Sequence, residues 1–260
     1  MLSSGWRPWA PGASVSTPGL DRVIGHRGAK ARAPENTLAG LREARRLGCG
    51  WVEFDVMLSR DGVPVLIHDE TVDRTTDGRG RVADLTLAEL RSLDAGVGFG
   101  ASFAGERIPT LAEAIAACLD LGLAANVEIK PSTGHAAETG RVVARTVRDA
   151  WPADGLPVLL SSFERVALAA ARDTAPAIPR GLLADGLPAD WEAAVQEFRC
   201  AALHLDHTRA TTAGLRDLVA RGVPVLLYTV NEPVRARELL DAGASAVFTD
   251  VPDTIYAALA

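Results

Sequence analysis

The sequence predicts an α/β chain folded as a (β/α)8 barrel with a small insertion after the second strand. Three observations carry that expectation. Short runs rich in Val, Leu and Ile alternate with helix-length Ala/Leu-rich segments, and eight strand-helix units can be counted from Val23 onward. Glycines stand where helices close before strands, at Gly48, Gly122, Gly222 and Gly243, because a glycine takes the left-handed closing conformation without steric cost. No Gly-x-Gly-x-x-Gly joins a strand to a helix, which argues against the competing doubly wound open sheet.

Composition bounds the partners. A chain of 260 residues, 48% hydrophobic, has enough apolar side chains for the core of one such barrel. A net charge of −6, a pI near 5.4 and scattered basic residues exclude a nucleic-acid partner, since phosphate backbones need clustered positive surface. No run approaches the ~18 apolar residues of a membrane span, so stable membrane insertion is not expected. The opening Met1 to Trp9 lacks the apolar core of a secretory leader, and cytoplasmic residence is the expectation. Cys49, Cys118 and Cys200 are far apart, odd in number and set among apolar neighbours, as small core residues are.

Taken in order, residues 1–20 hold Pro8, Pro11 and Pro18 and read as an irregular arm, with Trp6 and Trp9 packing it onto a single barrel domain over 21–260. Val23-Ile24-Gly25 is a first strand that delivers His26, Arg27 and Gly28 at its C-terminal end. Pro34-Glu-Asn-Thr37 starts a helix, with Asn36 as cap and Leu38, Leu41 and Ala44 as the buried stripe. Glu35 reads as a helix-start acid rather than a ligand.

The second strand, Trp51 to Val56, organises the rest. Alternation places Val52, Phe54 and Val56 on one face and Trp51, Glu53 and Asp55 on the other, so two carboxylates point the same way. Buried together they repel and lose hydration, and a metal ion is the economical compensator; solvated acids on an ordinary strand are the alternative. Arg60-Asp61-Gly62-Val63 has hairpin chemistry, so Pro64 to Ile67 returns beside the strand and carries His68 toward the acids. Residues 70–107 then break the rhythm, with a Gly-rich start around Thr75 to Gly80 and a capping box at Thr86 and Glu89. They read as an insertion over the mouth, a mobile cover whose start has little to pack. A second capping box at Thr110 and Glu113 opens the next helix, and Ala125 to Lys130 is the third strand. Val158–Phe163, Arg180–Ala184, Ala202–Asp206, Val225–Val230 and Ala246–Asp250 complete the set.

In a barrel, side chains at the C-terminal strand ends converge. Here that end collects His26, Arg27, Glu53, Asp55, His68, Glu128 and Lys130, the last two pointing inward with Asn126. Three carboxylates without a thiolate favour a hard divalent ion, Mg²⁺ or Ca²⁺, over zinc, and leave open whether a histidine also ligates. His26 and His68 are of the residue type that gives or takes a proton near neutral pH. Arg27 and Lys130 suit an anionic substrate. Phe163, ending a strand, reads as a site wall. His204 points inward on the sixth strand, while His135 and His207 lie near loops, and all three read first as structural or solvated.

The ordered set His26-Arg-Gly28, Pro34-Glu-Asn-Thr37, Glu53-x-Asp55, Asp61-Gly62, His68-Asp69, Arg74-Thr-Thr76, Ile108-Pro-Thr-Leu111, Glu128-Ile-Lys130, Ser161-Ser-Phe163, Thr229-Val-Asn231 and Thr249-Asp250 resembles the glycerophosphodiester phosphodiesterase family. The resemblance spans about residues 22 to 254. It implies a barrel with an insertion after the second strand and one divalent cation held by Glu53, Asp55 and Glu128. It further implies His26 and His68 as the acid/base pair, with Arg27 and Lys130 on the phosphodiester. Tyr228 stands where many relatives carry tryptophan; an aromatic wall remains, and the substrate fit there is what changes. The activity implied is hydrolysis of a small-molecule glycerophosphodiester to sn-glycerol 3-phosphate and an alcohol. The rival readings are a lysophospholipase D-like enzyme, which would want an apolar or basic rim, and a non-catalytic barrel serving as a binding module. That last reading predicts loss of a metal or histidine position, and all five are present.

Overall fold

The computed structural model describes residues 7–10 and 19–260. Val23–Gly25 (β1) pairs on one side with Trp51–Leu58 (β2) and on the other with Ala246–Thr249 (β9), so the parallel sheet closes on itself. Between β2 and β9 run Ala124–Ile129 (β4), Val158–Ser162 (β5), Arg180–Ala184 (β6), Cys200–Asp206 (β7) and Val225–Tyr228 (β8), each parallel to its neighbours. The ring therefore has the eight parallel strands of a (β/α)8 barrel. Pro64–Leu66 (β3) lies outside the ring, antiparallel to β2, and Gly62 at φ 76° makes the turn between them.

Alternation sorts the side chains into two apolar layers. Val52, Phe54, Val56, Val127 and Ile129 face outward onto helices that include Leu38–Arg46 (α1), Leu111–Leu121 (α3) and Ala136–Ala150 (α4). Ile24, Trp51, Ala124, Leu159, Ala202, Leu226 and Ala246 fill the barrel interior below the site. Both capping boxes form, Thr86 with Glu89 at Leu87–Ser92 (α2) and Thr110 with Glu113 at α3. Gly48, Gly122, Gly222 and Gly243 all take positive φ after helices. Arg165–Thr174 (α5), Trp191–Glu197 (α6), Thr212–Ala220 (α7), Pro233–Asp241 (α8) and Pro252–Leu259 (α9) complete the helices.

Two details differ from the sequence expectation. Asn36 does not cap α1: Thr37 does, its hydroxyl accepting from the Gly40 N–H. Asn36 sits left-handed at φ 56° and turns its amide into the site. Residues 70–107 have a core of their own, since Val72, Val82 and Leu90 are fully buried with Met57, Val65 and Ile67. The β3 return supplies the apolar face on which they pack, which the glycine content alone conceals. Trp9 is buried against Trp191 and donates its indole N–H to the Arg221 carbonyl; Trp6 lies outside the described residues.

Arg180, at the start of β6, is 1% exposed and spends its guanidinium on the carbonyls of Phe198, Ala175, Ile178 and Arg199 rather than on a carboxylate. Replacing it with Met leaves the buried Phe198 and Ile178 carbonyls without this donor, while the Ala175 carbonyl keeps the Ile178 N–H. Arg180→Met should cost ~2–4 kcal/mol in denaturant unfolding, and a loss under ~1 kcal/mol would mean that water reaches the carbonyls.

Candidate active site

The site is built on β2 and β4. Their parallel register sets Glu53 beside Asn126 and Asp55 beside Glu128, all inside the barrel. Glu53, Asp55 and Glu128 are 3%, 1% and 8% exposed, and one oxygen from each lies within 4.8 Å of the others. Three anions cannot share so small a buried volume without compensation. Burial, then Asp55 and Glu128, push the Glu53 carboxyl well above the usual range, and burial with Asp55 pushes Glu128 up to about 7. Burial acts on Asp55 in the same direction, but the charges of Arg27, His68 and Lys130 and the bond from Asn36 outweigh it and hold Asp55 low.

The chain contributes part of the compensation. Arg27 is left-handed at φ 50°, so the β1 turn presents its backbone N–H to Glu53 Oε2 at 2.9 Å and its Nε to Asp55 Oδ2 at 3.2 Å. Gly28 makes this turn possible, because at φ 87° a Cβ there would stand 2.6 Å from the Gly40 backbone. Lys130, just past β4, places Nζ 3.5 Å from Glu128 and 3.9 Å from Asp55. Asn36 donates to Asp55 Oδ2 at 2.9 Å. Glu53 Oε1, though buried, has no partner among the described residues. A buried carboxylate oxygen aimed at two other carboxylates, in an all-oxygen donor set, fits a hard divalent cation.

Each of two histidines is held by a carboxylate. His26 Nδ1 meets Asp250 Oδ1 at 2.6 Å, and Asn231 donates to the other Asp250 oxygen at 2.9 Å. These bonds overcome the effect of burial and hold Asp250 down at about 2. His26 Nε2 is left facing Glu53, 3.9 Å from Oε2. His68 Nδ1 meets Asp69 Oδ1 at 2.6 Å, and Arg74 holds both Asp69 and Glu35. Glu35 in turn receives Arg27 at 2.7 Å, so a chain of charge runs from His68 back to the β1 turn. Burial keeps the His68 ring below the usual histidine range, despite the pull of Asp55. Phe163 and Tyr228 meet edge to face, 5.9 Å between centroids, and Tyr228 Oη donates to the Ala184 carbonyl.

Both histidines, the three acids, Arg27, Lys130, Phe163 and Tyr228 line one cavity of about 190 Å³. A larger recess, about 320 Å³, runs along the Arg60 turn to His135, which is about half exposed beside Glu138. Its charged residues, Arg60, Asp61, His135 and Glu138, are exposed, whereas the smaller cavity gathers buried acids, so the chemistry belongs to the smaller cavity.

Comparison with known proteins agrees with this geometry. The model of the glycerophosphoryl diester phosphodiesterase family matches residues 26–254. The chain belongs to this family. A glycerophosphodiester phosphodiesterase from Caldanaerobacter subterraneus subsp. tengcongensis is 36% identical over 234 residues, 90% of this chain and 95% of that protein. A phosphodiesterase structure from Oleispira antarctica, in complex with the product sn-glycerol-3-phosphate, is 42% identical with a TM-score of 0.89, covering 92% of this chain and 97% of that one. A glycerophosphodiester phosphodiesterase structure from Agrobacterium tumefaciens superposes with a TM-score of 0.73 at 26% identity, covering 92% of this chain and all of that one (100%).

This cavity brings together every residue that the sequence marks as a candidate for catalysis, substrate binding or metal ligation. It leaves out His135 and His207, which do not line the cavity, and brings in His204, which does. Sequence alone gives Asp250, Asn231, Asp69 and Arg74 no role, and it assigns Glu35 and Asn36 to a helix start. Barrel closure would have found Asp250: Gly25 pairs with Thr249, so the next residue on each strand, His26 and Asp250, must be neighbours.

Proposed function

We propose that this phosphodiesterase hydrolyses glycerophosphodiesters to sn-glycerol 3-phosphate and an alcohol, with His26 as general base and His68 as general acid. The observation that carries this reading is the pair of histidine–carboxylate contacts opening onto one cavity with three buried acids. Asp250 takes the Nδ1–H of His26 and fixes the tautomer, which leaves the Nε2 lone pair facing the cavity to accept a proton from the nucleophile. Asp69 fixes His68 in the same way. An anionic phosphodiester brought beside His68 offsets its desolvation and favours the proton that it must give to the departing alkoxide. Arg27 and Lys130 hold the phosphodiester by charge, and Phe163 with Tyr228 walls the group it carries. Glu53, Asp55 and Glu128 would hold Mg²⁺ or Ca²⁺, which when bound neutralises charge on non-bridging phosphate oxygens.

A panel of glycerophospho-choline, -ethanolamine, -glycerol and -inositol with a lysophospholipid, assayed with Mg²⁺, with Ca²⁺ and with excess chelator, tests the reading. Turnover of one or more glycerophosphodiesters that stops in chelator is the expected result. Cleavage of the lysophospholipid alone would transfer the assignment to a lysophospholipase D-like activity, and full turnover in chelator would remove the cation from it.

A further inference from the structure

We propose that His204 is a glycerol-recognition residue: a neutral imidazole on the cavity wall opposite the carboxylates that hydrogen-bonds a hydroxyl of the substrate's glycerol group. The inference rests on the reading of the reaction given above. In the closed ring β7 stands across from β2, so His204 faces the cavity from the side away from Glu53 and Asp55. It is 0% exposed, and neither ring nitrogen has a hydrogen-bond partner among the described residues. His26, His68 and His135 each place Nδ1 against a carboxylate. A buried polar ring without partners is costly unless something arrives to meet it.

The barrel makes room for this ring. Gly181 points inward on β6, and a Cβ there would lie 2.5 Å from His204 Nε2, so any side chain larger than glycine would displace the imidazole. Phe248 packs on it from β9 at 5.3 Å between centroids. Leu183 and Leu226 flank it in register on β6 and β8. Nearby on the cavity lining, Asn126 gives its amide N–H to Ser161, and its Oδ1 has no partner among the described residues. Among the described residues, no charged group lines the cavity from β6, β8 or β9 to pair with the ring, and burial keeps it neutral, held down at about 3. A neutral imidazole offers one donor and one acceptor, which is the complement of a hydroxyl, itself both. The cations Arg27 and Lys130 stand by the carboxylates, so a phosphodiester seated there turns its uncharged polyol toward His204.

Binding separates this role from simple packing. In the presence of Mg²⁺, calorimetry should show that His204→Leu weakens sn-glycerol 3-phosphate about ten- to hundredfold while inorganic phosphate stays within about twofold. In turnover the same variant should raise KM for a glycerophosphodiester by a similar factor and leave hydrolysis of bis(p-nitrophenyl) phosphate, which has no glycerol, nearly unchanged. Parallel loss of both ligands, unchanged glycerol phosphate binding, or a wild-type protein that binds no glycerol phosphate would overturn the proposal. If His204→Leu melts below the assay temperature, His204→Phe, which also lacks donor and acceptor, serves the same comparison. A wild-type protein that binds glycerol phosphate but cleaves no glycerophosphodiester would count against the proposed reaction, and the binding comparison would still judge His204.

Discussion

Replacing His26 or His68 with Asn lowers kcat by about 10²–10⁴, the usual worth of a positioned proton carrier, and changes cation affinity by no more than a few-fold. The second half follows from geometry, because each ring spends Nδ1 on its own carboxylate, Asp250 or Asp69, rather than on the acid cluster. The two variants should then separate on leaving group. A general acid matters less when the leaving group departs readily, so a nitrophenyl phosphodiester should restore much of the rate of His68→Asn. His26→Asn should stay slow, since activation of the nucleophile is needed whatever leaves. Steady-state rates on glycerophosphocholine and on the nitrophenyl ester, for both variants, make the comparison. Rescue of both variants, or of neither, would dissolve the assignment of base and acid without moving the site, and rescue of His26→Asn alone would reverse it. A collapse of cation affinity in either variant would make that histidine a ligand.

The same residues show where sequence reading stops. Glu53, Asp55, Glu128 and Lys130 are legible because strand alternation is local: knowing that two segments are strands decides which side chains look inward. The eight-strand count, the hairpin at Gly62 and both capping boxes are legible for the same reason. Asp250 serves His26 from 224 residues away, and the link exists only once β1 and β9 pair and close the ring. Glu35 and Asn36 sit in a Pro-Glu-Asn-Thr run whose local chemistry says helix start. Thr37 alone performs that task, which frees Asn36 for Asp55 and Glu35 for Arg27 and Arg74. His204 follows the inward alternation of its strand, but its significance lies in the missing partners and in Gly181 opposite, neither of which a linear pattern contains.

Removing any one of Glu53, Asp55 and Glu128 should abolish turnover and weaken divalent-cation binding by more than the ~10–100-fold that loss of an outer hydrogen-bond partner costs. The cluster also predicts the pH dependence of loading. Glu128 sits at about 7 in the folded chain against an ordinary 4.5, raised first by burial and then by Asp55. A carboxyl raised on folding holds its proton more tightly in the native state. Its contribution favours the cation-free fold below pH 4.5 and is lost as pH rises through about 7, where the carboxylate must ionise beside Asp55. A cation supplies the missing positive charge and competes with that proton. Affinity for Mg²⁺ or Ca²⁺ should therefore climb between pH 5.5 and 8, with protons released on binding, and the cation should raise Tm more at pH 8 than at pH 5.5. Glu128→Gln should lower the affinity and make the climb shallower, leaving the share of Glu53, because its amide carries no proton for the cation to displace. Calorimetry in buffers of different ionisation enthalpy measures both affinity and proton release. An affinity independent of pH across that window, with no protons released, would mean that the three acids do not share the ion.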